Sequence, residues 1–277
     1  MPKYRVLKGS VPTFSSGATQ ISPPRLAALD PPAPVISVMG STEHLARPSI
    51  AIVGSRNASA AGRKIAADIA KDLGTEGFAV VSGLARGIDT AAHRASLASG
   101  AIAVLAGGVD IVYPEENRDL QTSIAESGAL VSEMPPGTSP QARHFPRRNR
   151  LISGLALAVV VVEAAHRSGS LITARFALEQ GRDVFAVPGS PLDPRAGGSN
   201  RLIKDGAPLV ETAEDVIAAL ATPLGRALRE PGPPAYNGAQ SGMTVLRQFD
   251  DSARDSVLAA LGPTPTPLDE IVRQSGV

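Results

Sequence analysis

The sequence predicts an α/β protein built around a mostly parallel sheet. From Ser49 onward, short apolar runs rich in valine and isoleucine alternate with segments of helical periodicity, and this alternation is typical of βαβ units. Most of the runs are apolar throughout, as expected of strands whose two faces are both covered by helices. At 277 residues, the chain accommodates one such domain and a smaller appendage, with roughly 150 residues as a usual domain size.

The repeated strand–helix order predicts an open, doubly wound, extended Rossmann-like sheet, because βαβ crossovers are right-handed. The first helix carries an apolar stripe of Ala61, Ile65, Ile69 and Leu73. The predicted strands span residues 50–53, 79–82, 102–106, 130–132, 158–162, 184–187 and 209–210. The predicted helices span residues 60–73, 90–98, 116–126, 170–180, 200–204 and 213–220.

Composition divides the chain into four segments. We expect residues 1–48, rich in Pro, Ser and Gly, to form an N-terminal arm, and residues 49–221 to form the Rossmann-like domain. Residues 222–250 have the Pro and Gly content of a linker. The sequence pattern of residues 251–277 predicts two short helices around a Pro-rich turn. We interpret them as a short helical remnant of a winged-helix domain, either vestigial or shortened.

Cysteine is absent from the chain, which excludes disulfides, thiolate catalysis and cysteine-containing zinc sites. We therefore expect no metal and no cofactor. The longest apolar stretch, residues 151–165, is interrupted by Gly154 and Glu163, and the N-terminus has no secretory pattern. These features predict a cytoplasmic protein without a membrane partner.

Residues 141–150, which read QARHFPRRNR, are strongly basic although the whole chain carries a formal net charge of only +1. No acidic residue lies between Glu133 and Glu163. Loops that combine arginines with an aromatic ring bind single-stranded nucleic acid, because guanidinium groups take phosphates and the ring stacks a base. We predict such a loop, or alternatively a solvated charged one, from Arg143, Phe145, Arg147, Arg148, Asn149 and Arg150.

Two glycine-containing turns follow the first two predicted strands, and each carries one arginine. Glycine lets the backbone approach a phosphate, and the N–H groups that open the next helix bind anions. Turns after parallel strands open on the same sheet edge, so both arginines are expected to face one crevice. The GxGxxG spacing of a dinucleotide site is absent. The alternative is a pair of tight turns with solvated arginines; the residues are Gly54, Ser55, Arg56, Asn57, Gly83, Arg86 and Gly87.

Two further groups have structural and functional interpretations. Asp89 and His93 lie four residues apart on one helix, but Asp89 occupies an N-cap position and His93 has no second metal ligand nearby, so catalysis and metal binding are not expected. Ser168, Gly169 and Ser170 precede another helix, where the hydroxyl groups either cap the helix or contact an anion.

The longer motifs closely resemble the DprA/Smf family over residues 35–220. They read IAIVGSRNAS at 50–59, SGLARGIDTAAH at 82–93, GGVDIVYP at 107–114, FPRRNRLISGLA at 145–156, SGSLITARFALEQGRDVFAVPG at 168–189 and GSNRLIKDGAPLV at 198–210. The resemblance implies a bacterial protein that binds single-stranded DNA without consuming it and loads RecA during natural transformation. It also implies that Arg56 and Phe145 contact DNA.

The resemblance further implies a homodimer through the C-terminal part of the Rossmann-like domain, near residues 195–220. Apolar side chains there are Leu202, Ile203, Leu209 and Val210, which have an equally physical interpretation as core. We expect the helical domain that many members carry before the Rossmann domain to be missing, because the first 35 residues leave no room for it.

The alternative is an enzyme, a nucleotide or nucleoside-phosphate hydrolase of the LOG type. Such proteins carry a GGxGTxxE signature, in which a carboxylate supports hydrolysis. Here Ile172 and Thr173 stand where acids would be needed, so no enzymatic activity is predicted. Stacking and phosphate contacts leave DNA and RNA equally open.

Overall fold

The computed structural model describes residues 5–8, 23–31, 33 and 35–221. The strands in these ranges form one eight-stranded sheet. Neighbouring strands follow the order β1-β2-β6-β5-β4-β3-β7-β8. The strands are β1 (Arg5–Lys8), β2 (Val35–Gly40), β3 (Ser49–Gly54), β4 (Ala79–Ser82), β5 (Ala101–Val104), β6 (Ala129–Ser132), β7 (Ala158–Val162) and β8 (Asp183–Ala186).

Helices follow most strands, as the periodicity predicts. They are α1 (Pro24–Ala27), α2 (Ala60–Thr75), α3 (Ile88–Ser96), α4 (Arg118–Ser127), α5 (His144–Leu155), α6 (Ser170–Glu179), α7 (Gly197–Lys204) and α8 (Ala213–Ala221). Short 3₁₀ turns lie at Thr42–Ala46 and Glu115–Asn117. The six predicted helices are all present, and α1 and α5 are additional. Within the described ranges, no helix combines the length and the apolar character that crossing a lipid bilayer requires.

Strands β3 to β8 are parallel, and the sheet is doubly wound as predicted. Starting from β3, successive strands β4, β5 and β6 add on one side, whereas β7 and β8 add on the other. The chain direction across the sheet therefore reverses between β3 and β7. A crevice opens outside the carboxyl ends of the strands at such a switch point.

The segment predicted as an N-terminal arm contributes directly to the sheet. Strand β2 pairs antiparallel with β6, and β1 pairs antiparallel with β2. Ile36 and Val38 are buried, as are Leu26 and Leu29 in and beside α1. The sheet therefore extends into the segment predicted as an arm, because pairing with β6 gives the short apolar run of β2 a partner that its local sequence does not reveal.

The last predicted strand, residues 209–210, is reduced to one bridge between Ala186 and Leu209. The Ala186 N–H donates to Pro208, and the Val210 N–H donates to Ala186. Proline has no N–H with which to extend the ladder. The predicted linker and winged-helix remnant, residues 222–277, lie outside the described residues.

Aliphatic side chains form the core on both faces of the sheet, as the low aromatic content predicts. On one face, Ile69 and Leu73 of α2 pack on residues of β3, β4 and β7. On the other face, Leu151, Ile152 and Leu155 of α5 pack on the same strands and on α1. Both faces of β3 and β7 are buried, so the two strands that flank the switch point are held rigidly.

Candidate nucleic-acid interface

A crevice of about 560 Å³ lies at the switch point, where the turns after β3 and β7 meet the first residues of α5 and α6. Ten of the predicted site residues line it: Gly54, Ser55, Arg56, Asn57, Phe145, Arg148, Asn149, Ser168, Gly169 and Ser170. Six do not: Gly83, Arg86, Gly87, Arg143, Arg147 and Arg150. The tertiary structure thus separates the predicted site residues into a group that lines the crevice and a group that lies outside it.

Gly54 brings the turn after β3 against the end of β7. A Cβ atom at residue 54 would lie 1.8 Å from the Val162 carbonyl oxygen, so no larger residue fits. The Ile88 N–H donates to the Ser55 carbonyl oxygen over 3.2 Å, and Ser55 Oγ accepts from the Asn57 N–H over 3.2 Å. These contacts fix the turn and leave Arg56 exposed at the crevice mouth.

Phe145 lies where cationic and aromatic side chains converge. Arg56 Cζ is 5.3 Å from the ring centroid and Arg148 Cζ is 5.9 Å away. The Tyr113 ring centroid is 5.7 Å from that of Phe145, with the planes tilted by 56°. Guanidinium groups at these distances are attracted to a ring face. The ring is half-buried and remains available at the crevice, as a base-stacking surface requires.

The prediction of a basic loop at residues 141–150 is wrong, because residues 144–155 form α5. Arg148 is buried within the domain, and its Nη1 donates to the carbonyl oxygens of Gly83 and Val104. Burial lowers the pKa of Arg148 to about 10; Asp89 opposes this shift and Arg56 adds to it. Arg148 therefore ties α5 to the carboxyl ends of β4 and β5.

Glu133 pairs with two of the other arginines that were predicted to bind phosphate. Its side chain is 3% exposed and accepts from Arg147 Nε over 3.2 Å and from Arg150 Nη2. Arg150 Nη1 also donates to the Pro31 carbonyl oxygen over 2.9 Å. Residues 141–150 contain no acidic residue, but the fold brings the Glu133 carboxylate next to them. Arg143, one residue before α5, stays exposed.

Arg86 does not share the crevice with Arg56, contrary to the prediction. Gly87 has a φ of +77°, and a Cβ there would lie 2.2 Å from the Ser55 carbonyl oxygen, so this turn passes closely beneath the first one. Arg86 Nη1 instead lies 3.4 Å from Glu116 Oε1. The second turn supports the first, and its arginine points along the sheet edge toward the segment after β5.

Asp89 and His93 lie beneath the crevice as structural groups. The Asp89 carboxylate accepts from the N–H groups of Gly83 and Ala85, and helix α3 is capped by Gly87, so Asp89 is not the predicted N-cap. Burial raises the pKa of Asp89, while Arg148 and these hydrogen bonds oppose the shift. Burial lowers the pKa of His93 to about 3, so the ring is neutral. Within the described part of the chain, no three acidic or histidine side chains form a metal-binding group.

Ser168 and Ser170 flank Gly169, the N-cap residue of α6, which has no side-chain cap. Ser168 Oγ accepts from the Ser170 N–H over 3.3 Å and lies 2.7 Å from Ser170 Oγ. Asn149 Nδ2 donates to the Gly169 carbonyl oxygen over 3.2 Å, which joins α5 to this turn. No atom lies within 4 Å of the position of a Cβ at Gly169, so the glycine leaves the crevice open there.

Three contributors were missed in the sequence. Arg167 lines the crevice and is exposed, and Tyr113 packs on Phe145; both lie in or beside motifs that the sequence offered. The pairing of Glu133 with Arg147 could not be predicted from the local sequence, since the two residues lie 14 positions apart.

Comparison with known proteins identifies the family of this chain. The family model for DNA recombination-mediator protein A matches residues 17–221, and the model for the DprA winged helix domain matches residues 244–277. The chain belongs to the DprA/Smf family. The second match supports the predicted winged-helix character of the C-terminal segment.

Curated relatives within the DprA/Smf family are similar over most of the described domain. The chain is 49% identical to DNA processing protein DprA of Bacillus subtilis over 69% of its own length and 65% of that protein. It is 48% identical to the Streptococcus pneumoniae protein over 65% of its length and 64% of that protein. It thus spans just under two thirds of the length of these two relatives.

Two solved structures of DprA proteins share the fold. The Streptococcus pneumoniae structure aligns with a TM-score of 0.69 at 44% identity, covering 71% of this chain and 70% of that one. The Helicobacter pylori structure aligns with a TM-score of 0.70 at 26% identity, covering 79% of this chain and 98% of that one. The latter was described for its single-stranded DNA binding mode.

Proposed function

We propose that this chain binds single-stranded DNA in the crevice at the switch point and hands that DNA to RecA during transformation, without cutting it. The observation that carries the proposal is Phe145, a half-buried ring at the crevice with Arg56 Cζ 5.3 Å from its centroid. A strand that stacks one base on this ring can place the adjoining phosphate against the arginine.

The charges around the crevice favour a polyanion. Arg56 and Arg167 line it as exposed cations, and the N-terminus of α6 adds backbone N–H groups. Asp89 is the one carboxylate among the described lining residues, and it is buried and bonded to two amides. This arrangement suits phosphate binding better than the hydrolytic chemistry of the LOG type, which needs a carboxylate at the substrate.

The relatives support the same function. Two of the most similar curated proteins are named DNA processing protein DprA, and the Helicobacter pylori relative has a described single-stranded DNA binding mode. The family resemblance extends the proposal to RecA loading in the cytoplasm. It also suggests a homodimer through residues 195–220, for which Leu209 offers an exposed side chain, whereas Val210 is buried in the core.

Fluorescence-anisotropy titrations with single-stranded DNA, duplex DNA and nucleoside monophosphates test the proposal. We expect tight binding of the single strand, weaker binding of duplex, and no turnover of any of the three. Affinity should fall with salt, with a slope of about −0.7 in log K against log salt per neutralised phosphate. Preference for a monophosphate together with its hydrolysis would overturn the proposal, and light scattering at tens of micromolar protein tests the dimer.

A further inference from the structure

Tyr113 extends the aromatic surface of Phe145 beyond the crevice. The two ring centroids are 5.7 Å apart, and the tyrosine side chain is 48% exposed although it packs on its neighbour. Tyr113 does not line the crevice itself and belongs to the segment between β5 and α4. An exposed ring beside a stacking ring offers a second face for a second base.

The segment that carries Tyr113 is anchored on both sides. Asn117 Nδ2 donates to the Leu84 carbonyl oxygen over 3.0 Å, and Gln121 Nε2 donates to the Ile111 carbonyl oxygen over 3.1 Å. On the other side, the Gly108 N–H donates to the Thr138 carbonyl oxygen over 2.9 Å. The backbone of the segment is therefore held in place before any ligand binds, which lowers the entropic cost of stacking a base on its ring.

Arg86 supplies a cation on the same side of the crevice. Its partner Glu116 lies three residues after Tyr113, and the two side chains are 65% and 61% exposed. Exposed ion pairs of this kind contribute little to stability, since solvent screens them. The guanidinium group can consequently exchange the carboxylate for a phosphate at small cost.

We propose that Tyr113 and Arg86 form a second nucleotide subsite, which takes the base and phosphate adjacent to those bound at Phe145 and Arg56. The inference rests on the proposed binding of single-stranded DNA. In this arrangement the DNA strand leaves the crevice over the carboxyl ends of β4 and β5, because Arg86 follows β4 and Tyr113 follows β5.

Tyrosine fluorescence of the chain tests the subsite directly. The chain has no tryptophan and three tyrosines, so a Tyr4→Phe/Tyr236→Phe variant leaves Tyr113 as the only emitter. Stacking of a base on Tyr113 should quench this emission in step with the binding of oligothymidylate followed by anisotropy. Unchanged emission at saturating oligothymidylate would overturn the inference.

Affinity gives an independent measurement. Tyr113→Ala should weaken oligothymidylate binding roughly 5- to 150-fold, the effect of one stacked base, and Tyr113→Phe should restore most of the loss. Arg86→Ala should make the salt slope shallower by about 0.7. Leu192→Ala, which truncates a side chain that is 94% exposed and does not line the crevice, is the matched control.

The two levels of proposal fail in different ways. If wild-type protein does not bind single strands at all, the proposed function is wrong. If the wild type binds and Phe145→Ala weakens binding, but Tyr113→Ala and Arg86→Ala behave like Leu192→Ala, only the second subsite is wrong.

Discussion

The guanidinium group of Arg148 occupies the space that a side chain at residue 83 would fill. A Cβ atom at Gly83 would lie 1.9 Å from Arg148 Nη1, and the same nitrogen donates to the Gly83 carbonyl oxygen. The glycine in the turn after β4 is thus required by a buried arginine 65 residues later in the chain. This contact supports Phe145, which lies three residues before Arg148 on α5.

Gly83→Ala should destabilise the protein by about 1–3 kcal/mol, because the added methyl group displaces a buried and hydrogen-bonded guanidinium group. Gly169→Ala is the matched control, since no atom lies within 4 Å of its Cβ position. Urea denaturation of both variants measures the difference. Equal free energies of unfolding would show that Arg148 moves aside freely.

Arg148→Met and Arg147→Met should differ strongly in stability although the residues are adjacent. Loss of Arg148 leaves two carbonyl oxygens without their donor and leaves the charge of Asp89 uncompensated, at a cost of about 3–5 kcal/mol. Arg147 is largely exposed, so its loss should cost about 1 kcal/mol or less. Thermal or urea unfolding provides the measurement, and similar losses would contradict the structural role of Arg148.

Arg56→Ala and Phe145→Ala should weaken single-strand binding in different ways. Loss of Arg56 should make the salt slope shallower by about 0.7, whereas loss of Phe145 should cost about 1–3 kcal/mol with the slope nearly unchanged. Because Arg56 Cζ is only 5.3 Å from the ring, the two effects should not add in the double variant. Anisotropy titrations at several salt concentrations measure all three variants, and wild-type binding by each would place the DNA elsewhere.

Glu133→Gln should strengthen binding at low salt. The substitution removes the carboxylate that holds Arg147 and Arg150. Arg147 is 54% exposed, so it becomes available to a phosphate and steepens the salt slope by about 0.7, whereas Arg150 stays bonded to the Pro31 carbonyl oxygen. Glu179→Gln, which breaks the exposed pair with Arg175 on α6, is the control. If the two variants bind alike, the arginines held by Glu133 lie outside the path of the strand.

His93 should make stability depend on pH. Its pKa is about 3 when folded and 6.5 as the ordinary value, so the unfolded chain takes up the proton first as the pH falls. Stability is then lost from about pH 6.5 down to about pH 3, at up to about 1.4 kcal/mol per pH unit. The raised pKa of buried Asp89 acts in the opposite direction, because the folded state then holds its proton more tightly. Arg148, whose pKa is about 10, stays charged over this range.

The contribution of His93 is isolated by comparison with His93→Leu. Urea unfolding between about pH 4 and about pH 7 should show a shallower loss of stability for the variant than for the wild type. Parallel pH profiles for the two proteins would indicate that the ring has the same pKa in the folded and the unfolded state.

The sequence by itself determined the doubly wound sheet and the turns that border the crevice. A continuous apolar run such as that of β7 is removed from water only when helices cover both faces of the sheet. Gly54, at the turn after β3, indicates a close backbone approach from the local sequence alone. The same local logic failed for β2, whose short apolar run is stabilised only by pairing with β6, far away in the chain.

Only the tertiary structure decided what each arginine does. Arg143, Arg147, Arg148 and Arg150 are equivalent in sequence, yet their environments depend on partners distant along the chain: Gly83 and Val104 for Arg148, and Glu133 for Arg147 and Arg150. The free energy of a charged group depends on burial and on nearby opposite charges, and neither quantity is local in sequence. Composition therefore predicted a basic surface, whereas packing selected Arg56, Phe145 and their neighbours as the candidate site.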